Sequence, residues 1–162
     1  MVFKDFVNKI LKGGGLSFAS KSHVIIEKII KALSKKLLLM YQQYENIEYI
    51  INILLTGKLR INIIENYNKF LDTNSSIAYP IVELIIDNIG LSSVDQDTIY
   101  FFSVVIECIT NEIVEISRCI THKNRKKRIT PFFMYKAISE DIELMILMNI
   151  IFDGESLESI IS

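Results

Sequence analysis

The feature that most constrains this chain is a long stretch, roughly Asp95 to Thr121, in which apolar residues return every three or four positions. They are Phe102, Val105, Ile106, Ile109, Ile113, Ile116 and Ile120. That spacing puts them on one stripe of an amphipathic helix, which at about 1.5 Å per residue spans about 40 Å. A wide apolar face of that length needs a partner of its own kind. The chain supplies one. Ile26, Ile29, Ile30, Leu33, Leu37, Met40 and Tyr41 keep the same spacing within a predicted helix from His23 to Gln42.

Shorter segments flank both long ones. Phe3, Phe6, Val7, Ile10 and Leu11 share a helical face, and Lys12-Gly13-Gly14-Gly15 ends that helix, because glycine accepts the left-handed backbone of a C-terminus. After a break at Tyr44–Asn46, a helix is predicted over Ile47–Leu55. Thr56-Gly57 punctuates it, and Leu59, Ile63, Ile64, Tyr67, Phe70 and Leu71 form a further stripe. Asp72-Thr73-Asn74-Ser75-Ser76 reads as a linker. Beyond it Pro80 opens a short helix to about Ile89, and Gly90-Leu91-Ser92-Ser93 precedes the long one. Thr130-Pro131 starts another helix at a capping residue plus proline. A last helix covers Asp141–Ile150, and the tail Asp153–Ser162 reads as irregular. No strand is needed. Residues 1–75 and 76–162 thus repeat one all-α plan, and since each half has a thin core, the two are expected to clasp each other.

Half of the 162 residues are apolar and 23% are charged, with two prolines and six glycines. This is a globular composition. The best apolar run, Ile142–Phe152, is interrupted by Glu143 and Asn149 and falls short of a membrane span. A soluble, intracellular protein that is not secreted and has no membrane partner is expected. Cys108 and Cys119 lie about three turns apart on one helix, too far for a disulfide, and are expected to be reduced. His23 and His122 lack partners at metal spacing, and no nucleophile elbow, phosphate loop or dinucleotide fingerprint occurs. No metal, no cofactor, no small-molecule substrate and no catalysis are expected.

The net charge of −1 conceals an asymmetry. Residues 1–75 carry eleven Lys/Arg against six acids, whereas residues 76–162 carry seven against thirteen. Five of those seven, Lys123, Arg125, Lys126, Lys127 and Arg128, form one basic knot. Such a chain has distinct faces, unlike a uniformly basic nucleic-acid binder. By composition alone the knot reads equally as a solvated loop or as a contact.

Short–long–short helices paired across a long central helix are the histone-fold plan, and particular residues make the likeness specific. Asn124-Arg125-Lys126-Lys127-Arg128-Ile129-Thr130-Pro131, continuing through Ala137-Ile138-Ser139-Glu140-Asp141-Ile142-Glu143-Leu144, resembles the second loop and following helices of histone 2A. Ile53-Leu54-Leu55-Thr56-Gly57-Lys58-Leu59 and Ala19-Ser20-Lys21 resemble the third-helix ending and first loop of histone 2B, and Tyr41 falls where that family carries a tyrosine. The order, 2B-like then 2A-like, resembles the histone doublets of some large DNA viruses.

The resemblance implies two histone folds packed as a pseudo-heterodimer. The 2B-like fold covers residues 1–75, and the 2A-like fold with a docking tail covers 76–162. It implies a histone 3/4-type partner, double-stranded DNA bound without sequence specificity, and a place in the host nucleus, a viral factory or the virion. Arg128 matches the minor-groove arginine, with Arg125, Lys126 and Lys127 near phosphates, and Lys21 beside a helix N-terminus making a second phosphate site. Glu107, Glu112, Glu115, Asp141 and Glu143 match the family's partner-binding acidic patch, although a plain solvated helix face has the same composition. Tyr41, Leu157, Ile160 and Ile161 are expected to dock on the 3/4-type partner. On that expectation, deleting residues 153–162 leaves the fold intact.

The departures weaken first the acidic patch and then DNA contact. Ile142 replaces one acid of the patch and Lys58 reverses another. Long basic tails are not expected, Glu83, Ile85 and Ile86 occupy a helix where arginines are usual, and the Gln43–Asn46 loop lacks one. Fewer phosphates neutralised mean weaker, less salt-dependent binding. The alternative is a histone-fold interaction module that binds a transcription factor, a chromatin factor or host histones and wraps little DNA.

Overall fold

In the computed structural model, which describes residues 2–12, 14–71 and 76–162, the periodic stretches are helices. In chain order they are α1 (Val2–Leu11), α2 (Ser20–Tyr44), α3 (Ile47–Leu54), α4 (Gly57–Leu71), α5 (Tyr79–Ile89), α6 (Gln96–Lys123), α7 (Pro131–Ser139), α8 (Ile142–Ile151) and α9 (Leu157–Ile161). Two two-residue strands, β1 (Ser17–Phe18) and β2 (Arg128–Ile129), complete the described elements. The chain is all-α in class. Gly13 and linker residues 72–75 lie outside the described residues, as do the side chains of Phe70 and Leu71.

Local chemistry sets the helix ends. The carboxamide of Asn46 accepts from the Tyr49 N–H at 3.0 Å, and the Asp141 carboxylate from the Leu144 N–H at 2.9 Å, so each satisfies a donor left open in a first turn. Thr130 does the same for Phe133, with Pro131 next to it. Gly90 ends α5 at φ 76°, a conformation that costs glycine nothing. Inside the long helices, the buried hydroxyls of Ser34, Ser103 and Thr121 donate to the carbonyls four residues earlier. These three polar residues therefore sit in the apolar stripes with their hydrogen bonds met, whereas the buried Ser117 hydroxyl on α6 has no partner among the described residues.

Two expectations are corrected. The strands went unread because two residues carry no measurable alternation; only a remote partner makes them strands. The tail is not irregular throughout. Ser156 caps α9 through the Ser159 N–H, and Leu157 and Ile160 are buried. A single helical turn has too short a period to recognise in a sequence that also carries Gly154 and three serines.

The chain divides into two compact units that differ from its sequence halves. One comprises Met1–Ile29 with Thr110–Ser162, so it joins α1, β1 and the start of α2 to the end of α6, β2 and α7–α9. Its core includes Phe6, Val7, Ile26, Ile113, Ile129 and Leu144. The other, Ile30–Ile109, holds the rest of α2, α3–α5 and the start of α6. There Tyr41 meets Phe102 edge-on at 6.0 Å between centroids, and Tyr67 meets Phe101 at 4.7 Å. Such edge-to-face pairs add to the area they bury. In both units, segments from the two sequence halves share one core.

Candidate nucleic-acid interface

The first unit laces two distant loops together. β1 and β2 pair in parallel, Ser17 opposite Arg128 and Phe18 opposite Ile129. The Ser17 N–H donates to the Lys127 carbonyl at 3.2 Å, and the Ala19 N–H to the Ile129 carbonyl at 3.0 Å. The buried Ser22 hydroxyl also donates to the Ile129 carbonyl at 2.8 Å. Side chains alternate along a strand, so with Phe18 and Ile129 buried, Ser17 and Arg128 must face outward. Lys21, beside Ser22 on the first turn of α2, is exposed, as are Lys123, Arg125, Lys126 and Lys127. The structure thus brings the start of α2 and the basic loop to one place.

The backbone of that loop explains part of its sequence. Arg125 has φ 57°, and the Lys126 N–H reaches back to the Thr121 carbonyl at 3.1 Å, closing the C-terminus of α6. Glycine is the usual residue in this conformation. His122 and Lys123 occupy the last turn, where positive charge favours the helix dipole. His23 packs edge-on against Phe18 at 5.3 Å. Burial and then nearby Lys4 push its pKa down, so His23 favours the neutral form.

Four of the five expected acidic-patch residues converge in this unit. The Glu112 carboxyl is pushed up first by partial burial, then by the charges of Asp141, Glu143 and Glu115. Two of those acids already have other work. Glu115 accepts from Arg118 Nη1 at 2.6 Å, and Asp141 caps α8. Glu107 is a correction. It lies in the other unit, is only 8% exposed, and accepts from the Ser76 hydroxyl at 2.9 Å. Burial raises its pKa more than the bonds from Ser76 and the Ile77 N–H lower it. It is a core carboxyl, inward because its helix position falls on the apolar side. Ile142, where the resemblance expects another acid, is 75% exposed.

Of the docking residues, Leu157 and Ile160 are corrected likewise. Both are buried within their own unit, and Ile161 is half-buried. The Lys28 ammonium donates to the Ile160 carbonyl at 3.2 Å and the Tyr135 hydroxyl to Glu158 at 2.7 Å. That last bond holds the Glu158 carboxyl down and pushes the Tyr135 hydroxyl up. The tail therefore has an intrachain use. Tyr41 is half-buried, with its ring against Phe102.

Sequence reasoning missed Arg118. Its side chain is 17% exposed, and Nε and Nη2 are buried without a hydrogen-bond partner. Each unmet buried donor of this kind costs about 1–3 kcal/mol. A Cβ on Gly14 would lie 2.9 Å from both Cζ and Nε of Arg118, so only glycine fits there while the guanidinium stays in place. Nothing local marks the pair, because a lone arginine on a helix is ordinary.

Among the described residues, no cluster of His, Cys, Asp and Glu suits a metal ion, and no helix is long and apolar enough to cross a membrane. Cys108 is half-buried and its thiol is pushed up to about 11, by burial first and then by Glu107; Cys119 is exposed, and both are free. No protein-family model matches the chain, and no curated protein matches it.

Proposed function

We propose that the chain is a fused core-histone-like protein, a 2B-like half and a 2A-like half paired as a pseudo-heterodimer. With a histone 3/4-type partner it packages double-stranded DNA in a nucleosome-like particle, without sequence specificity. The observation that carries this reading is the β1–β2 pairing. It joins the loop before the long helix of one half to the loop after the long helix of the other, as clasped halves require. The same pairing gathers Lys21, Lys127 and Arg128 on one exposed edge, with Arg125 and Lys126 in the adjoining turn. Arg128 enters an inward-facing minor groove, and the others sit on flanking phosphates.

A second reading, the histone-fold interaction module, is favoured by apolar surface. The Ile30–Ile109 unit has a cleft of about 420 Å³ whose apolar lining is Ile47, Ile51, Ile64, Tyr67 and Phe101, with Glu48, Asn52, Arg60 and Asp97 as its polar lining. Ile64 in that lining is exposed, as is Ile61 elsewhere on α4. Grooves of this kind suit a protein side chain better than DNA.

Nuclease protection separates the two. The chain is mixed with a histone 3/4-type pair and DNA of about 150 base pairs, near nucleosomal length. A discrete fragment, lost when Arg125, Lys126, Lys127 and Arg128 are changed to glutamate, supports packaging. A stable protein complex that protects no more than the 3/4-type pair alone supports the interaction module.

A further inference from the structure

We propose that Arg118 is a phosphate-receiving residue, its Nε–Nη2 edge taking two oxygens of one phosphate group; on DNA this is a backbone phosphodiester, so the DNA form of the proposal rests on the reading above. A guanidinium recognises phosphate through parallel N–H pairs, and Nε with Nη2 is one such fork. Here Nη1 is engaged by Glu115 at 2.6 Å, whereas Nε and Nη2 are the two donors without an acceptor. An arginine recruited merely to pin the neighbouring loop would donate to its carbonyls, and this fork donates to none.

The residue against the fork covers it with main chain alone. Gly14 packs directly on the guanidinium, since a Cβ there would be 3.1 Å from Nη2 as well as 2.9 Å from Nε. Gly15, at φ 66°, has nothing within 4 Å of its own Cβ position. A small shift of backbone there, or a swing of the side chain past the exposed Glu115, uncovers both donors. The position is also right. Ser17, which pairs with Arg128, follows Gly14 by three residues. Arg118 lies five residues before Lys123 on the same helix, a rise of about 7.5 Å.

The test uses the full chain, labelled so that arginine Nε–H signals are seen by NMR, with Arg118 assigned by its loss in Arg118→Lys. Inorganic phosphate and a short duplex DNA are titrated separately, and thermal melts confirm that each variant folds. The expected result is a shift of the Arg118 signal with both probes. Arg118→Gln should lower the slope of log affinity for DNA against log salt by about 1. Arg118→Lys, which keeps the charge but not the fork, should weaken phosphate binding. DNA binding with an unmoved Arg118 signal and an unchanged salt slope overturns the proposal and leaves the packaging reading standing. An Arg118-dependent phosphate shift in a chain that binds no DNA overturns the packaging reading and keeps the phosphate site. No response of Arg118 to either probe overturns the proposal outright.

Discussion

At the scale of single residues, the environment of a side chain decides its role more than its type does. Glu107 and Glu112 look alike in the sequence, yet one is buried against Ser76 and the other sits among acids. Because the folded state raises the Glu107 pKa above its ordinary 4.5, it holds that proton more tightly than the unfolded chain does. The resulting cost is absent below the ordinary carboxylate range and is complete above the raised pKa. Glu107→Gln keeps an acceptor for Ser76, so it should raise the melting temperature at neutral pH, with the gain vanishing in acid; melts across pH check this. Arg125→Gly keeps the left-handed backbone and removes its cost to an L-residue, about 1 kcal/mol. Denaturant unfolding should show a gain of about that size alongside weaker DNA binding. For the thiols, exposed Cys119 should alkylate well before Cys108, as mass spectrometry of partially labelled protein would show.

At the scale of elements, long periodic segments were legible and short ones were not. α2 and α6 were readable because seven apolar positions in each repeat a helical spacing that no other structure satisfies. β1, β2 and α9 exist only through what they pack against, and so were invisible to a reading of neighbours along the chain. α9 carries the sharper consequence. Leu157 is 5% exposed and Ile160 1%, so removing them strips apolar cover from the unit they belong to. Leu157→Ala should cost about 2 kcal/mol or more, and deletion of residues 153–162 should lower the melting temperature further. An unchanged melt would mean that α9 contributes nothing to the fold.

At the scale of the whole molecule, the charge asymmetry matters more than the net charge of −1. Five exposed cations, Lys21, Arg125, Lys126, Lys127 and Arg128, can each neutralise about one phosphate. At about −0.9 per phosphate, these five give the logarithm of DNA affinity a slope of about −4.5 against that of salt, and an Arg118 contact adds about −0.9 more. Filter binding over a salt series measures it, and a slope near zero would remove the DNA reading. The candidate interface was only partly legible. The basic knot stood out as a run of charge, but Arg118 and the burial of Glu107 did not. The sequence by itself determined the helical class, the number and order of the principal helices and the position of the basic loop. These depend on periodicity and on capping residues a few positions apart. Tertiary structure alone decided which segments share a core, that Ser17 pairs with Arg128, that the tail folds back, and that Arg118 lies beneath Gly14. Those outcomes join residues far apart in the chain, and the burial and hydrogen bonding that fix them come into being only when distant segments meet.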